Sequence, residues 1–269
     1  MTVLRLTLRH RPDQRLDLSP LLPRRLAGKT ASEIAAIELQ TTRQKVTVGD
    51  IFRLRMGDCA AIHIDGTCDR LDQIGQAMDE GEIVVDGNVG IRAGALMAGG
   101  RLTVKGNVGP WAASGMKAGE VEITGNAADW LGAASPGETV GMRGGVVVVR
   151  GSGGERIGDR MRRGTIIVEG RAGGYAGSRM IAGTLILCRK TGPLPGYLMR
   201  RGTIVLGKSA EAMSPTFVDC GTQEFVAMRL LSAFVKTLSP KAGSILPSPL
   251  RRFAGDMATL GKGEILFPT

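Results

Sequence analysis

The side chains best able to hold a metal or act as a nucleophile are few in this chain of 269 residues. The cysteines are Cys59, Cys68, Cys188 and Cys220, and the histidines are His10 and His63. No C-x-x-C, H-E-x-x-H or H-x-H spacing and no acidic partner pattern for a histidine stands out, so a self-contained zinc or Cys/His site is not expected. His63 lies between Ile62 and Ile64, and strand alternation predicts that it points outward as a plain surface histidine. We therefore expect this chain alone to have no catalytic residue, metal or cofactor.

Arginine is the residue type whose distribution suggests binding chemistry. Residues 66–140 contain 5 Lys/Arg and 10 Asp/Glu, whereas residues 141–208 contain 13 and 3, within a net charge of +10. Arginine forks match carboxylates with two parallel hydrogen bonds. The candidates for an interface or an anionic-ligand site are Arg143, Arg162, Arg163, Arg200 and Arg201. The alternative is that these arginines form a solvated basic surface that only keeps the protein soluble.

A basic field of this kind also attracts nucleic acid. However, the sequence lacks a K/R-G-F-G-F-V motif and C2H2 spacing, so no nucleic-acid partner is expected. The glycine-rich stretches at 87–90, 106–109 and 151–154 lack the G-x-x-x-x-G-K-[ST] pattern of a phosphate loop. We interpret them as structural corners.

A second candidate surface combines arginine with aromatic residues at a regular spacing. Its members are Arg92, Trp111, Trp130, Arg156 and Tyr175, followed by Leu194. Stacked in space, these types predict a cation–π ladder, and they are the types most enriched at interface hot spots. The column either contacts a partner or only holds neighbouring segments together.

These columns are positioned by an internal repeat. Methionine recurs at Met78, Met97, Met116, Met142, Met161, Met180 and Met199, with intervals of 19, 19, 26, 19, 19 and 19 residues. A glycine stands three residues after each of these methionines, and apolar residues stand five and seven residues after each methionine. The spacing of two between the apolar positions predicts a half-buried strand. The interval of 26 predicts a surface loop at about residues 133–139.

A unit of 19 residues with an internal period of two predicts one coil of a solenoid. The predicted fold class is all-β: a right-handed parallel β-helix, or β-solenoid, of about eight coils, capped by small α/β flanks. An irregular first coil is expected over 56–66, with Ile62 and Ile64 in the ladder positions. Glycines that end the strands, such as Gly106, and the asparagines after them are expected to adopt positive φ.

The flanks predict three regions: an N-terminal cap (1–55), β-helix repeats (56–208), and a C-terminal helical cap and tail (209–269). In the first flank we expect a strand with alternating Leu4, Leu6 and Leu8, a short helix near 32–39 and a strand over 45–55. In the last flank we expect a helix over 224–238, with Phe225 on its apolar face, and a final strand over 264–267.

One pattern connects the repeats to a known family. The consensus G-x-x-M-x-x-G-x-[IVL]-x-[VIL]-x-G-N-x-G is preceded by V-G-D-I-F-R-L at 48–54 and followed by P-T-F at 215–217. It resembles the C subunits of the formylmethanofuran dehydrogenases, and most closely the bacterial branch of that family found in formyltransferase/hydrolase complexes. The repeats are also similar to the C-terminal domain of the large subunit in glutamate synthase. The flanks favour the first family.

The resemblance implies a noncatalytic scaffold subunit of a hetero-oligomeric complex. In such complexes formyl passes from tetrahydromethanopterin to a methanofuran-type carrier and is hydrolysed to formate, within formaldehyde oxidation and one-carbon metabolism. The implied partners are the amidohydrolase-like A, the B and the formyltransferase D subunits, of which the amidohydrolase-like one holds the metal. The carrier has a glutamate chain, to which the arginine columns could relate.

Two alternatives stay open on the sequence. One is the C subunit of a molybdenum or tungsten formylmethanofuran dehydrogenase, and the other is a stand-alone solenoid adaptor that binds an anionic partner. The chain starts without the apolar region of a signal peptide and has no apolar run of about 18 residues, which predicts a cytoplasmic protein with no membrane segment.

Overall fold

The computed structural model describes residues 3–41, 43–224, 226–246 and 249–268. The strands are β1 (Val3–Leu8), β2 (Leu16–Asp17), β3 (Glu38–Thr41), β4 (Val46–Thr47), β5 (Phe52–Arg55), β6 (Asp58–Thr67), β7 (Leu71–Asp72), β8 (Glu82–Gly87), β9 (Ala98–Lys105), β10 (Ala118–Ile123), β11 (Arg143–Val149), β12 (Arg163–Val168), β13 (Thr184–Leu187), β14 (Arg201–Leu206), β15 (Val218–Gln223), β16 (Leu250–Gly255) and β17 (Lys262–Pro268). The helices are α1 (Pro23–Leu26), α2 (Ala31–Ala35), α3 (Val48–Ile51), α4 (Val226–Leu238) and α5 (Pro240–Ser244).

The chain is mostly β, and its main sheet is mixed. Within the described residues this sheet has 13 strands in the order β15-β16-β17-β14-β13-β12-β11-β10-β9-β8-β6-β1-β5. From β1 through β6 and β8–β14 to β17, neighbouring strands pair in parallel. Antiparallel pairs occur at the two ends, where β5 joins β1 and where β15 and β16 follow β17. The flanking segments therefore extend the sheet that the repeats build.

The strand register aligns equivalent positions of successive repeats, as the sequence predicts. Val147 pairs with Ile166, which is the counterpart of Leu185 in the next repeat. The irregular first repeat also fits, since Ile62 pairs with Ile83 and Ile64 with Val85. All seven repeat methionines have 0% exposure, as do most of the apolar ladder residues. The two predicted apolar columns form the core.

A second row of contacts joins the repeats eleven residues after each methionine. Isolated parallel bridges connect Val89, Val108, Ala127, Gly153, Ala172, Thr191 and Ala210 in sequence. Each repeat therefore contacts its neighbours through two parallel ladders, the strand itself and this bridge.

The glycines that end the strands act through close approach. A Cβ at Gly106 would lie 2.2 Å from the Gly87 carbonyl oxygen of the preceding repeat. The positive φ predicted for these glycines is present at Gly87, with a φ of 131°, but Gly106 is absent from the positive-φ positions, so the prediction was wrong there. The asparagines after these glycines also differ from the prediction: the Asn107 amide donates to Asn88 Oδ1 at 2.9 Å, which links one repeat to the next.

The inserted segment at 133–139 is partly a surface loop. Residues 136–139 are exposed, in agreement with the prediction. Ala133 and Ala134 are buried, and the Ala133 amide donates to the Trp130 carbonyl oxygen, so the insertion begins inside the repeat.

The N-terminal flank confirms β1 and corrects two other elements. Leu4 and Leu6 are fully buried. The helix predicted near 32–39 is α2, which ends at Ala35, and β3 occupies Glu38–Thr41. The strand predicted over 45–55 is interrupted by α3, because Asp50 Oδ2 accepts from the Thr47 amide at 2.8 Å and caps a helical turn.

The C-terminal flank contains the predicted helix and final strand, and it adds β15 and β16. Helix α4 is described from Val226, and Phe225 lies outside the described residues. The helix packs on the outer face of the sheet, where Val148, Ile167, Ile186, Val205 and Leu266 form a second apolar cluster. Among the described residues, no helix combines the length and apolar character needed to cross a membrane.

Candidate binding surface

The five candidate arginines lie at one end of the strands. Arg143, Arg163 and Arg201 are the first residues of β11, β12 and β14, and Arg143 pairs in register with Arg163. Arg162 and Arg200 come directly after a repeat methionine. Backbone hydrogen bonds fix that position, since the Arg162 amide donates to the Met142 carbonyl oxygen at 2.8 Å. We call Arg143, Arg162, Arg163, Arg200 and Arg201 the arginine surface.

All five side chains of the arginine surface are exposed. In the part of the chain that the structure describes, none of them makes a side-chain hydrogen bond or an ion pair. Other arginines are paired: Arg150, for example, contacts Glu122 and Glu169, each at 2.6 Å. Like charges that face each other across neighbouring strands are unfavourable. The surface is thus suited to a negatively charged partner.

In the second candidate surface, the column of arginine and aromatic residues, four members form the predicted stack. The Trp111 and Trp130 rings stack at 6.2 Å between centroids, with an angle of 15°. The Arg156 guanidinium lies 5.2 Å from the Trp130 centroid and 4.8 Å from that of Tyr175. Arg92 occupies the equivalent backbone position but contacts no ring among the described residues.

Every member of this column has a left-handed backbone. The φ angles are 61° at Arg92, 59° at Trp111, 66° at Trp130, 56° at Arg156 and 57° at Tyr175. This conformation costs a residue with a side chain roughly 1–2 kcal/mol. Each amide donates to the following repeat, as Arg156 does to the Gly174 carbonyl oxygen at 2.9 Å, which offsets part of the strain. The column is half-buried, and its hydrogen bonds and ring contacts join successive repeats.

His63 differs from the expectation of a plain surface residue. It does point outward from its strand, but its side chain is only 17% exposed and lies between two carboxylates. Its Nε2 is 2.6 Å from Asp86 Oδ2 and 3.2 Å from Asp65 Oδ1. The expectation of no acidic partner pattern was therefore wrong: Asp65 is two residues away, and Asp86 is the counterpart of Asp65 in the next repeat.

The His63, Asp65 and Asp86 ligand atoms lie within 4.8 Å of one another, as in a metal site. Two cations already contact the group, because Arg5 Nη2 is 3.0 Å from His63 Nδ1 and Lys105 Nζ is 3.0 Å from Asp86 Oδ1. The hydrogen bond from Lys105 holds the pKa of Asp86 below its usual value, with His63 adding to this effect. The chemistry of the group is that of an ion-pair network.

All four cysteines are free thiols. Burial raises the pKa of Cys188 to about 11, and burial also raises the pKa of Cys59. Both thiols are therefore protonated near neutral pH, and protonated thiols are poor nucleophiles.

The sequence analysis did not identify one buried group, the carboxylate of Asp159. Asp159 is 2% exposed and bonds to Ser178 and Arg179 below the corner of its repeat. Equivalent positions carry small residues, Ala95 and Ser114, in other repeats. The available signal was a carboxylate at a position where three other repeats have a small residue, Ala95, Ser114 and Ser178.

The structure defines the class of the protein: it is a mostly β repeat protein with a row of exposed arginines that have no side-chain partner among the described residues. Across 264 residues it is 51% identical to the C subunit of the formyltransferase/hydrolase complex Fhc from Methylorubrum extorquens, covering 97% of this chain and 99% of the relative. The chain therefore belongs to the family of C subunits of formyltransferase/hydrolase complexes, as the sequence resemblance predicts.

A solved structure agrees with this family. The crystal structure of the formyltransferase/hydrolase complex FhcABCD from Methylorubrum extorquens, in complex with methylofuran, contains a chain that superposes with a TM-score of 0.95. The match covers 98% of this chain and 99% of that one at 41% identity. The C subunit of tungsten-containing formylmethanofuran dehydrogenase 2 from Methanothermobacter thermautotrophicus is 36% identical over 100 residues, or 35% of this chain. No family model matches the chain.

Proposed function

We propose that this chain is a noncatalytic scaffold subunit of a hetero-oligomeric formyltransferase/hydrolase complex. The observation that carries the proposal is the 51% identity over 97% of the chain to the C subunit of such a complex. In the proposed complex, formyl passes from tetrahydromethanopterin to a methanofuran-type carrier and is released as formate. The metal resides in another subunit, and the partners are the A, B and D subunits. The binding of methylofuran by the related FhcABCD complex supports the choice of carrier.

The scaffold in this proposal is a right-handed parallel β-helix of about eight coils. Two observations support it: the strands β6 and β8–β14 pair in parallel in chain order, and the second row of bridges from Val89 to Ala210 repeats the same order. The division into residues 1–55, 56–208 and 209–269 places the caps on either side of these repeats.

The arginine surface is the proposed docking site for an acidic surface of a partner subunit. Its side chains are exposed and unpaired in the described chain, and a partner carboxylate would satisfy their N–H groups bidentately. The stack formed by Trp111, Trp130, Arg156 and Tyr175 is a second proposed contact, because half-buried Trp, Tyr and Arg are common at the centres of interfaces.

The test is co-expression of the full chain, tagged, with the genes for the other subunits. Native mass measurement should show all subunits in fixed stoichiometry, and preparations lacking this chain should lose assembled complex. Formyl hydrolysis by this chain purified alone, or its isolation without partners from cells that contain them, would overturn the proposal. The same preparation decides the dehydrogenase alternative, which rests on matches over 35% of the chain, by assaying oxidation against hydrolysis of the formyl group.

A further inference from the structure

Three arginines converge on a cleft beside the inserted loop. The cleft has a volume of about 550 Å³ and is lined by Arg160, Arg179 and Arg200, which lie next to the successive repeat methionines Met161, Met180 and Met199. Val140, Ile181 and Leu198 form its apolar wall. Arg200 also belongs to the arginine surface, so the cleft and that surface are continuous.

The buried carboxylate of Asp159 fixes one of these arginines. Arg179 Nε donates to Asp159 Oδ1 at 2.9 Å and Arg179 Nη2 donates to Asp159 Oδ2 at 2.8 Å, while Ser178 Oγ donates to Oδ1 at 2.5 Å. A bidentate pair of this kind holds the guanidinium plane in one orientation. The remaining N–H groups of Arg179, whose side chain is 36% exposed, have no partner among the described residues.

The other two arginines leave positive charge in the cleft. Arg160 Nη1 donates to the Glu138 carbonyl oxygen at 3.1 Å, and its Nε lies 4.0 Å from Asp159 Oδ2. Arg200 has no side-chain partner among the described residues. Two buried carboxylates adjoin these three guanidinium groups, since Asp159 pairs with Arg179 and Asp256 accepts from the Leu198 amide at 2.8 Å, which leaves a local net charge of 3 − 2 = +1. An incoming carboxylate would meet pre-oriented donors at little further cost in ordering.

We propose that this cleft binds an acidic side chain of an extended peptide segment. The fixed fork of Arg179 suits the carboxylate, and the wall of Val140, Ile181 and Leu198 suits the methylene groups of a glutamate. An extended peptide fits better than a compact anion because the cleft opens, through Arg200, onto the row of unpaired arginines. The assignment rests on the proposed docking role of that row and specifies the chemistry of the docking partner.

The test is binding of a fluorescein-labelled hexaglutamate peptide to the purified full chain, followed by anisotropy at low salt, with glutarate as the competing small dicarboxylate. Arg200→Gln should weaken the peptide at least tenfold, and Arg179→Lys, which keeps the charge but not the fork, at least fivefold. Arg171→Gln is the matched control: Arg171 is exposed, lies beyond the opposite end of β12 and loses the same charge. It should weaken the peptide less than twofold.

Thermal melting shows whether the variants fold, and Arg200→Gln should melt like the unmodified chain because its side chain has no partner in the described residues. Equal weakening by Arg200→Gln and Arg171→Gln would mean a diffuse charge effect and would overturn the site, as would the absence of peptide binding. Glutarate that displaces the peptide at equal concentration would overturn the peptide as occupant. Failure of the unmodified chain to assemble with partner subunits would instead overturn only the proposed function.

Discussion

At the scale of single residues, the glycine three positions after each repeat methionine carries two constraints at once. Gly164 has a φ of 99°, a region that favours glycine. A Cβ there would also lie 2.8 Å from the Gly145 carbonyl oxygen and 2.9 Å from the Gly144 carbonyl carbon in the preceding repeat. Backbone atoms in a paired sheet cannot move away cheaply. The glycine therefore sets the distance between repeats.

We predict that Gly164→Val loses several kcal/mol of unfolding free energy, because left-handed strain and a backbone clash add together. Urea denaturation followed by circular dichroism measures the loss. Gly137→Val is the matched control: its φ is 85°, but a Cβ there would meet no atom within 4 Å. It should cost only the strain of about 1–2 kcal/mol. Similar losses for the two variants would show that stacking does not require the glycine.

The Cys188 thiol gives a prediction about pH. Its pKa is raised from 9.0 to about 11 by burial, so the folded state favours the protonated form. The stability that this thiol contributes is fully present below pH 9 and is lost as pH rises toward about 11. Iodoacetamide at pH 8 should label the partly exposed Cys220 and leave Cys188 unmodified until the chain is unfolded. Labelling of Cys188 in the native protein at the rate of Cys220 would contradict this burial.

Residue types alone did not show whether a glycine is required by a positive φ or by the lack of space for a side chain. The repeat itself was visible because methionine and glycine recur at fixed spacing, and the column of Arg156 and its aromatic neighbours followed from the same count. The reason for Gly106 was not visible, since only the position of the Gly87 carbonyl oxygen shows that space, and not φ, excludes a side chain. The carboxylate partner of His63 from the next repeat, Asp86, also needed the register.

At the scale of elements, helix α4 explains why the later strands are apolar on both faces. The outward position of each strand is polar or half-exposed in the early repeats, as at Thr103, and fully buried in the later ones, as at Ile167 and Ile186. Continuous apolar runs such as residues 146–149 are typical of strands covered on both faces. This signal was present in the sequence and would have placed the helix on β11–β14.

We predict that Ile167→Ala destabilises the protein by about 2–5 kcal/mol, the usual loss for a large buried aliphatic residue. Thr103→Ala, at the same position of an earlier repeat without a helix above it, should change stability by less than about 0.5 kcal/mol. Limited proteolysis should also release α4 faster from the Ile167 variant. Equal effects of the two substitutions would show that the helix does not pack on this face.

Short elements in the flanks were harder to predict than the repeats. The capping hydrogen bonds are local: the Thr47 amide donates to Asp50, and the Thr30 amide donates to Glu33. Each begins a short helix within a segment that apolar alternation alone would predict to be one continuous element. Strands β15 and β16 depend on antiparallel pairing with β17, a contact between segments distant in sequence. Alternation within one segment contains no information about such a partner.

At the scale of the whole molecule, the same core columns recur along the ladder of repeats, whereas the charge of the outer positions changes from the early to the later repeats. Pairs of acid and base occur on the surface of the early repeats, such as Arg101 with Glu120. The later repeats present exposed arginines without acids in the same columns. Because the core columns do not change along the ladder, this shift concerns the surface and the partner that covers it.

The final prediction tests that shift on the assembled complex. Arg162, Arg163 and Arg201 changed together to Glu reverse six units of charge without altering the methionine or aliphatic columns, and Arg200 stays in place for the cleft. Their side chains are exposed and unpaired in the described chain, so the melting temperature should change little. Broken, desolvated charge pairs with a partner would each cost about 2–5 kcal/mol, enough to abolish co-purification with the other subunits. The matched control changes Arg171, Arg189 and Lys208 to Glu, three exposed positions beyond the other end of the strands. If both triple variants assemble equally well and support full carrier-dependent turnover, the arginine surface only solvates the protein.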